Sequence, residues 1–114
     1  MSDSIFTKII KQEIPAKIIY EDDLVAAFND INPQAPVHIL IVPKTQIPTI
    51  NDLSDDDTFI MGHIIQVAKK LAKDNNIEEK GYRLVFNCNE GAGQTVFHIH
   101  CHLLGGRDMT WPPG

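Results

Sequence analysis

Short apolar or alternating segments bounded by turn residues recur five times along this 114-residue chain, and each segment predicts a β-strand. The five segments are residues 17–20, 24–28, 37–42, 82–87 and 94–104. The first two flank the acidic stretch 21–23, which is typical of a hairpin with a polar turn. Prolines and turn-forming side chains mark residues 29–36 as a loop, and glycines mark residues 90–94 as a second loop.

Helical spacing occurs in two places. Ser4 can cap a short helix over residues 5–11, which ends before Pro15. A longer helix is predicted to begin at Ser54, because Asp57 follows it in the spacing of a capping box. Its apolar stripe consists of Ile60, Ile64, Val67, Ala68 and Leu71. The order of elements predicts an α+β domain, in which a mostly antiparallel five-stranded sheet carries its helices against one face.

Three of the five histidines lie at alternate positions of the last predicted strand, at His98, His100 and His102. Alternation places all three imidazoles on one face of the strand. The opposite face is predicted to be buried, and it carries Phe97, Ile99, Cys101 and Leu103. Histidine changes its charge near neutral pH, which suits it to nucleophile, acid and base roles. This strand is therefore the place where we expect the chemistry.

Composition limits the class of protein. Apolar residues make up 43% and charged residues 22% of the chain, which is ordinary for a single globular domain spanning residues 1–114. The N-terminus has no signal-peptide pattern, and no segment is as long and apolar as a membrane span, which favours the cytoplasm. Two cysteines are too few for a disulfide framework. A net charge of −5 argues against a nucleic-acid polymer as the partner.

A metal site is one interpretation of the three histidines. Neighbouring histidines of the strand lie roughly 6.6 Å apart at the backbone, close enough to share an ion. However, His98 and His102 would be about 13 Å apart along a flat strand, which makes a single ion difficult to share. Cys101 points to the other face, so it is a poor fourth ligand. His38 remains a possible ligand if its strand pairs nearby.

Nucleophilic catalysis at phosphorus is the other interpretation. A neutral imidazole can attack without a metal, while a neighbouring imidazole holds phosphate oxygens and donates a proton. Clustered histidines also disfavour one another's charged forms, which helps to keep the attacking ring neutral. In the preceding loop, Gly91 and Gly93 allow close backbone approach, and Gln94 and Thr95 supply polar side chains. This loop is not a Walker loop, because no Gly-Lys-Ser/Thr follows and a strand comes next.

The sequence from His98 to Leu104 resembles the histidine-triad (HIT) family, in which histidine and an apolar residue alternate three times. Other segments are similar to its Hint branch, the histidine-triad nucleotide-binding proteins. These segments are residues 4–6, 13–17, 30–36, 81–83 and the ending 104–107 to 111–114. The resemblance covers nearly the whole chain. It implies a HIT-like fold with one long and one short helix, and a homodimer whose sheet continues across the interface.

The activity that this resemblance implies is hydrolysis of the P–N bond in purine nucleoside 5′-phosphoramidates, without a metal or other cofactor. His100 would be the nucleophile and would form a nucleotidyl-histidine intermediate. His102 would bind the phosphate and, with Thr95, assist the leaving amine, while His98 orients His100 through its backbone carbonyl. His38 would complete the catalytic set.

The same resemblance implies a substrate-binding set. The phosphate would contact Asn87, Gly93 and Thr95, and Asp30 would hold the ribose hydroxyls. The remaining members of this set are Phe6, Ile9, Phe28 and Ile31 around the base, with Gln94, Val96, His100 and His102 beside them. Phe6, Ile9, Phe28 and Ile31 also have an ordinary alternative as core residues.

Some positions depart from the pattern. Thr95 stands where many relatives have serine, and Asn29 and Thr110 replace histidines of eukaryotic members, so the preferred leaving group stays open. The tail, residues 105–114, would reach towards the partner's site through Trp111. Two other functions stay open as well: a nucleotide-binding regulator with incidental hydrolysis, and a dinucleoside polyphosphate hydrolase.

Overall fold

In the computed structural model of the protein, which describes residues 2–114, two helices enclose a five-stranded sheet. The helices are α1 (Ile5–Ile10) and α2 (Thr58–Asp74). The strands are β1 (Ile18–Glu21), β2 (Val25–Asn29), β3 (Val37–Pro43), β4 (Tyr82–Val85) and β5 (Cys101–Gly105). Short 3₁₀ turns occupy Ile50–Asp52, Asp55–Asp57 and Glu90–Ala92.

The strand order is β1-β2-β3-β5-β4, and every neighbouring pair is antiparallel. The predicted α+β fold with a five-stranded antiparallel sheet is therefore confirmed. β5 lies between β3 and β4, so the last strand of the chain is inserted into the sheet. Its register places His102 opposite Leu40 and Leu104 opposite His38, which brings His38 and His102 to the same face.

The predicted start of α1 is confirmed, whereas α2 begins at Thr58, one 3₁₀ turn after the predicted start at Ser54. The Ser4 hydroxyl accepts a hydrogen bond from the backbone N–H of Thr7 at 3.0 Å and so caps α1. The backbone N–H of Ser54 donates to the Asp57 carboxylate at 2.8 Å, which stabilises the 3₁₀ turn that leads into α2. Of the predicted stripe, Ile64, Val67, Ala68 and Leu71 are buried and Ile60 is partly buried.

The prediction that both helices pack on one face of the sheet is wrong. α2 covers the face that carries Val25, Ala27, Ile39 and Ile41. α1 covers the other face, where Phe6 and Ile9 pack against Phe28, Leu40 and Val42. The reason lies in β2, whose residues 25–28 are apolar on both sides and are buried on both sides.

The predicted last strand is shorter than expected, because β5 begins only at Cys101. Pro43 has no N–H group to extend the ladder of β3, and the Ile99 N–H donates to the Ile47 carbonyl at 2.7 Å instead. Ile99, Cys101 and Leu103 are buried as predicted. The prediction for Phe97 is wrong, since its side chain is 41% exposed on the segment before the strand.

None of the helices formed by residues 2–114 combines the length and the apolar character that a membrane crossing requires.

Candidate functional site

The three predicted histidines and His38 form a cluster on the α1 face of the sheet. The ring centroids of His100 and His102 are 4.9 Å apart, and those of His38 and His102 are 5.2 Å apart. Phe6 of α1 packs edge-on against His98 at 5.7 Å and against His100 at 4.9 Å. The four imidazoles therefore meet beside α1, and the three of the last predicted strand lie on one face of the sheet, as alternation predicts.

His98 is fully buried, and both of its ring nitrogens are engaged. Its Nε2 lies 2.7 Å from the carbonyl oxygen of Pro43, and its Nδ1 lies 2.6 Å from the Ser4 hydroxyl. A carbonyl can only accept, so Nε2–H donates to Pro43 and Nδ1 accepts the Ser4 proton. Burial lowers the pKa of His98, which keeps this ring neutral. His98 therefore lies beneath the site, with no ring nitrogen free for a ligand.

His100 presents a free nitrogen. Its Nδ1 lies 2.8 Å from the carbonyl oxygen of His98 and donates to it, which leaves the lone pair on Nε2. Within residues 2–114, Nε2 of His100 has no hydrogen-bond partner, and no buried side-chain nitrogen or oxygen is left unpaired. This Nε2 is therefore open to solvent. Burial lowers the pKa of His100, so the ring is neutral and nucleophilic at neutral pH.

The proton on His102 is fixed by its neighbours. The backbone N–H of Gln34 donates to Nδ1 of His38 at 3.0 Å, so the proton of neutral His38 is on Nε2. Nε2 of His38 lies 2.9 Å from Nδ1 of His102 and 3.4 Å from the Asp30 carboxylate. His102 Nδ1 thus accepts, and its own proton is on Nε2. Burial, followed by the neighbouring His100 and His38, lowers the pKa of His102 to about 4.

Asp30, His38 and His102 bring three possible metal ligands within 4.8 Å of one another. A histidine that binds a metal through one nitrogen normally donates an N–H from the other. His38 cannot do so here, because its Nδ1 already accepts the Gln34 N–H and its Nε2 carries the proton. The hydrogen bonds of His38 therefore suit a proton-donating network better than a metal site.

The glycine-containing loop is built around Gln94, whose side chain is buried. Its amide donates to the carbonyls of Pro48 (2.8 Å) and Val96 (3.1 Å), and its oxygen accepts from the Asn89 N–H at 2.8 Å. All polar atoms of the Gln94 side chain are thus bonded to backbone groups next to the loop and at Pro48, so the side chain supports its neighbours. Gly93 has a φ of 91°, a left-handed conformation that glycine adopts without strain.

The remaining predicted site residues are placed as follows. Thr95 is exposed, Val96 packs partly buried against the Phe6 cluster, and Asn87 is half-buried. Asp30 is held at the end of β2, where its Oδ1 accepts the Asn32 N–H at 2.8 Å. Phe6, Ile9 and Phe28 are buried, whereas Ile31 is 99% exposed and lies apart from their cluster. Cys101 lies on the α2 face, as predicted, and burial raises the pKa of its thiol to about 12.

Sequence reasoning missed the residues that hold the histidines. Ser4 was predicted only as a helix cap, although it also contacts His98. The Pro43 carbonyl and the Gln34 N–H are backbone groups, whose positions no side-chain pattern indicates.

Comparison with known proteins agrees with this fold. The family model described as "HIT domain" matches residues 11–109. The chain is 55% identical over 107 residues to the purine nucleoside phosphoramidase of Escherichia coli (strain K12), covering 94% of this chain and 90% of that protein. It is 52% identical over 112 residues to an uncharacterized HIT-like protein of Synechocystis sp., covering 98% and 97%.

Among solved structures, a HIT family hydrolase from Legionella pneumophila Philadelphia 1 superposes with a TM-score of 0.96 at 57% identity, covering 98% of this chain and all of that one. A histidine triad nucleotide-binding protein from Candida albicans gives a TM-score of 0.82 at 34% identity, covering 96% and 83%. Fold and site together define the class of HIT-domain hydrolases. The chain belongs to the HIT family.

Proposed function

We propose that the chain hydrolyses the P–N bond of purine nucleoside 5′-phosphoramidates and releases a nucleoside monophosphate and an amine. One observation carries the proposal: the neutral ring of His100, with Nδ1 bonded to the His98 carbonyl at 2.8 Å, leaves Nε2 unpaired and open to solvent. The name of the E. coli relative supports the substrate class.

His100 Nε2 attacks phosphorus, and the P–N bond breaks as a nucleotidyl-histidine forms. The departing nitrogen takes up a proton from water, and Thr95 and His102 relay this proton to it. The hydroxide left behind breaks the bond between His100 and phosphorus, which yields the nucleotide and restores the free imidazole. Because its proton is on Nε2, neutral His102 acts as a hydrogen-bond donor to the phosphate oxygens throughout.

The predicted substrate-binding residues take the surrounding positions in this proposal. Gly93 and Asn87 hold the phosphate with Thr95, and Asp30, one of whose oxygens already accepts from Asn32, binds the ribose hydroxyls. The base lies against the apolar surface formed by Phe6, Ile9, Phe28 and Val96, which is contiguous in the α1 cluster. Ile31, which is 99% exposed, is free to close over the base from the other side.

We also propose that the chain works as a homodimer. β4 is an edge strand with one neighbour, and a second copy can extend the sheet from it. The outer side of α2 exposes Phe59 and Ile65, and the tail exposes Trp111, all of which a partner would cover. The Arg83 guanidinium donates to the Thr110 carbonyl at 3.0 Å and directs the tail along β4. Light scattering of the purified protein over a concentration series tests this proposal.

The decisive experiment measures turnover of adenosine 5′-phosphoramidate by the wild type and by His100→Ala and His100→Gly, with and without a chelator. We expect both variants to lose turnover and the chelator to have no effect. His63→Ala is the matched control, because His63 lies on α2 and bonds to Asp22, away from the cluster. Protein quenched in alkali should carry one nucleotidyl group in the wild type and none in His100→Ala.

Three outcomes would point elsewhere. Undiminished turnover in His100→Ala would overturn the assignment of His100 as the nucleophile. Loss of activity in the chelator would restore the metal interpretation at Asp30, His38 and His102. Turnover near background with tight binding of the nucleotide would favour the alternative that the chain is a nucleotide-binding regulator.

A further inference from the structure

We propose that Ser4 is a positioning residue for the reaction. Its hydroxyl fixes the ring of His98 and, through the His98 carbonyl, the attacking nitrogen of His100. This inference rests on the proposed function, because it takes His100 as the nucleophile. It assigns a role in catalysis to a residue whose evident task is to cap a six-residue helix.

The first step is the contact between Ser4 and His98. The Ser4 hydroxyl lies 2.6 Å from Nδ1 of the fully buried His98. Among residues 2–114, the Thr7 hydroxyl is the one other donor near Nδ1, at 3.4 Å, and its proton goes to the Gln46 side-chain oxygen at 2.9 Å. Ser4 is therefore the group that satisfies Nδ1 and keeps the His98 proton on Nε2.

The second step runs through the backbone. With its proton on Nε2, His98 donates to the Pro43 carbonyl at 2.7 Å, which anchors its ring to the end of β3. The anchored residue presents its own carbonyl to Nδ1–H of His100 at 2.8 Å. If Ser4 is lost, Nδ1 of His98 is buried without a partner, and the ring is free to rotate or to change tautomer. The carbonyl that orients His100 then loses its fixed position.

The third step concerns what holds Ser4. The Gln46 side-chain oxygen accepts the Ser4 backbone N–H at 2.8 Å, and the Thr7 N–H donates to the Ser4 hydroxyl oxygen at 3.0 Å. With both groups in place, the Ser4 proton has one short acceptor, Nδ1 of His98. The same helix carries Phe6, which packs against the His100 ring at 4.9 Å. The start of α1 thus supports the nucleophile from two directions.

A purely structural role predicts something different. If Ser4 only caps α1, any residue that accepts the Thr7 N–H should replace it. Ser4→Asp keeps the acceptor but has no hydroxyl proton to give, so it separates the cap from the contact with His98. Ser4→Thr keeps both functions, and Ser4→Ala removes both. Ser54→Ala is the matched control, since it removes a cap hydroxyl at the entry to α2, away from the histidines.

The experiment combines kinetics with nitrogen-15 spectra of histidine-labelled protein. We expect kcat for adenosine 5′-phosphoramidate to fall by on the order of tenfold to a hundredfold in Ser4→Asp and Ser4→Ala, because a misplaced reacting group costs that much. KM should change by less than about twofold, as for an interaction used in the transition state. Ser4→Thr and Ser54→Ala should retain the wild-type kcat.

The spectra give a readout that does not depend on turnover. The wild type should show neutral His98 with its proton on Nε2, and Ser4→Asp should lose that pattern and shift the titration of His100. An unchanged His98 tautomer and an unchanged His100 titration in Ser4→Asp would overturn the inference, as would a wild-type kcat in that variant. Should Ser4→Ala fail to fold, Ser4→Asp and Ser4→Thr decide. Failure of the proposed function shows separately, as turnover that survives in His100→Ala.

Discussion

Nε2–H of His38 donates a hydrogen bond to Nδ1 of His102 over 2.9 Å. The Gln34 N–H, which donates to the other nitrogen of the His38 ring, determines the direction of this hydrogen bond. As a result, the neutral His102 ring can offer only an N–H group to a ligand. An anionic phosphate accepts hydrogen bonds from such a donor. Residues on β3 and in the preceding loop thus hold His102 of β5 in the tautomer that the proposed function requires.

Substitution of His38 should test this arrangement. His38→Ala removes the donor to His102, which frees the second tautomer and leaves Nδ1 of the half-buried His102 ring without its partner. We expect kcat to fall by on the order of tenfold, because the phosphate donor is no longer fixed. His38→Gln can place an amide N–H near the lost Nε2–H and should retain more activity. Equal kcat values for His38→Ala and the wild type would contradict this role.

The pH profile should show the effect of burial on the nucleophile. Burial lowers the pKa of His100 from its usual 6.5, so the ring of the free enzyme should take up a proton only at a pH below 6.5. We expect the acid limb of kcat/KM, where the proposed nucleophile becomes protonated, to have its midpoint below pH 6.5. An acid limb with its midpoint at or above 6.5 would disprove the assignment. Circular dichroism at each pH confirms that the protein stays folded.

Stability should depend on pH for the same reason. His38, His98, His100 and His102 all have lowered pKa values in the folded chain, with burial as the main cause. Below pH 6.5 the unfolded chain takes up protons that the folded chain resists. The free energy of unfolding must therefore fall as pH drops from 6.5, by up to about 1.4 kcal/mol per pH unit for each such proton. Urea denaturation at pH 7.5 and pH 5 measures the difference.

The paired carboxylate of Asp22 does not explain a loss of stability in that window. The His63 ring and the hydroxyl of Tyr20 donate to Asp22, as do two backbone N–H groups, and these bonds hold the pKa of Asp22 well below its usual 3.8. Its contribution is complete above pH 3.8 and is lost only at lower pH. His102→Asn should reduce the dependence between pH 7.5 and pH 5, and an undiminished dependence in that variant would argue against His102 as a source.

Much of the fold follows from local pattern. The capping box at Ser54 and Asp57 predicts the entry to α2, and the alternation of the last strand predicts that Ile99, Cys101 and Leu103 are buried. The pattern does not tell which helix covers which face, because residues 25–28 of β2 are apolar on both sides. For that reason the placement of α1 was wrong. The prediction that Phe97 is buried was wrong because alternation applies only within a strand, and β5 begins only at Cys101.

The candidate site, like the fold, could be predicted from the sequence only in part. Alternation and family resemblance predict that His98, His100 and His102 act together, and the cluster confirms their proximity. Their unequal hydrogen bonding depends on contacts between distant parts of the chain, since 94 positions separate Ser4 from His98. Only tertiary structure brings such groups together, so a sequence pattern could not indicate them.

Gln94 should stabilise the loop at residues 90–94 through the hydrogen bonds of its side chain. Gln94→Ala leaves the Asn89 N–H and the carbonyls of Pro48 and Val96 without their partner. We expect the free energy of unfolding to fall by about 1–3 kcal/mol and kcat to fall as Thr95 loses its fixed position. Gln94→Glu keeps the acceptor for Asn89 but loses both donors, so it should lie between Ala and the wild type. Denaturation and kinetics on the same samples separate the two effects.

Position 105, at the end of β5, requires glycine because the side chain of Ile77 lies against it. A Cβ atom at Gly105 would lie 2.5 Å from Cδ1 of Ile77 and 3.1 Å from its Cβ, inside the buried core next to α2. Gly105→Ala should therefore destabilise the fold by about 1–3 kcal/mol, as overpacking does. Gly62→Ala is the matched control, because open space surrounds Gly62 on α2, and it should be neutral or slightly stabilising.

The clash itself can be isolated with a double-mutant cycle. Ile77→Val removes Cδ1, the atom closest to the new methyl group, at a cost of about 0.5–1.5 kcal/mol on its own. If the contact explains the glycine, Gly105→Ala should cost less in the Ile77→Val background than in the wild type, with a coupling of about 0.5–3 kcal/mol. Additive effects would mean that Gly105 is needed for another reason. Urea midpoints of the four proteins give the answer, because each cycle arm compares the same substitution in two backgrounds.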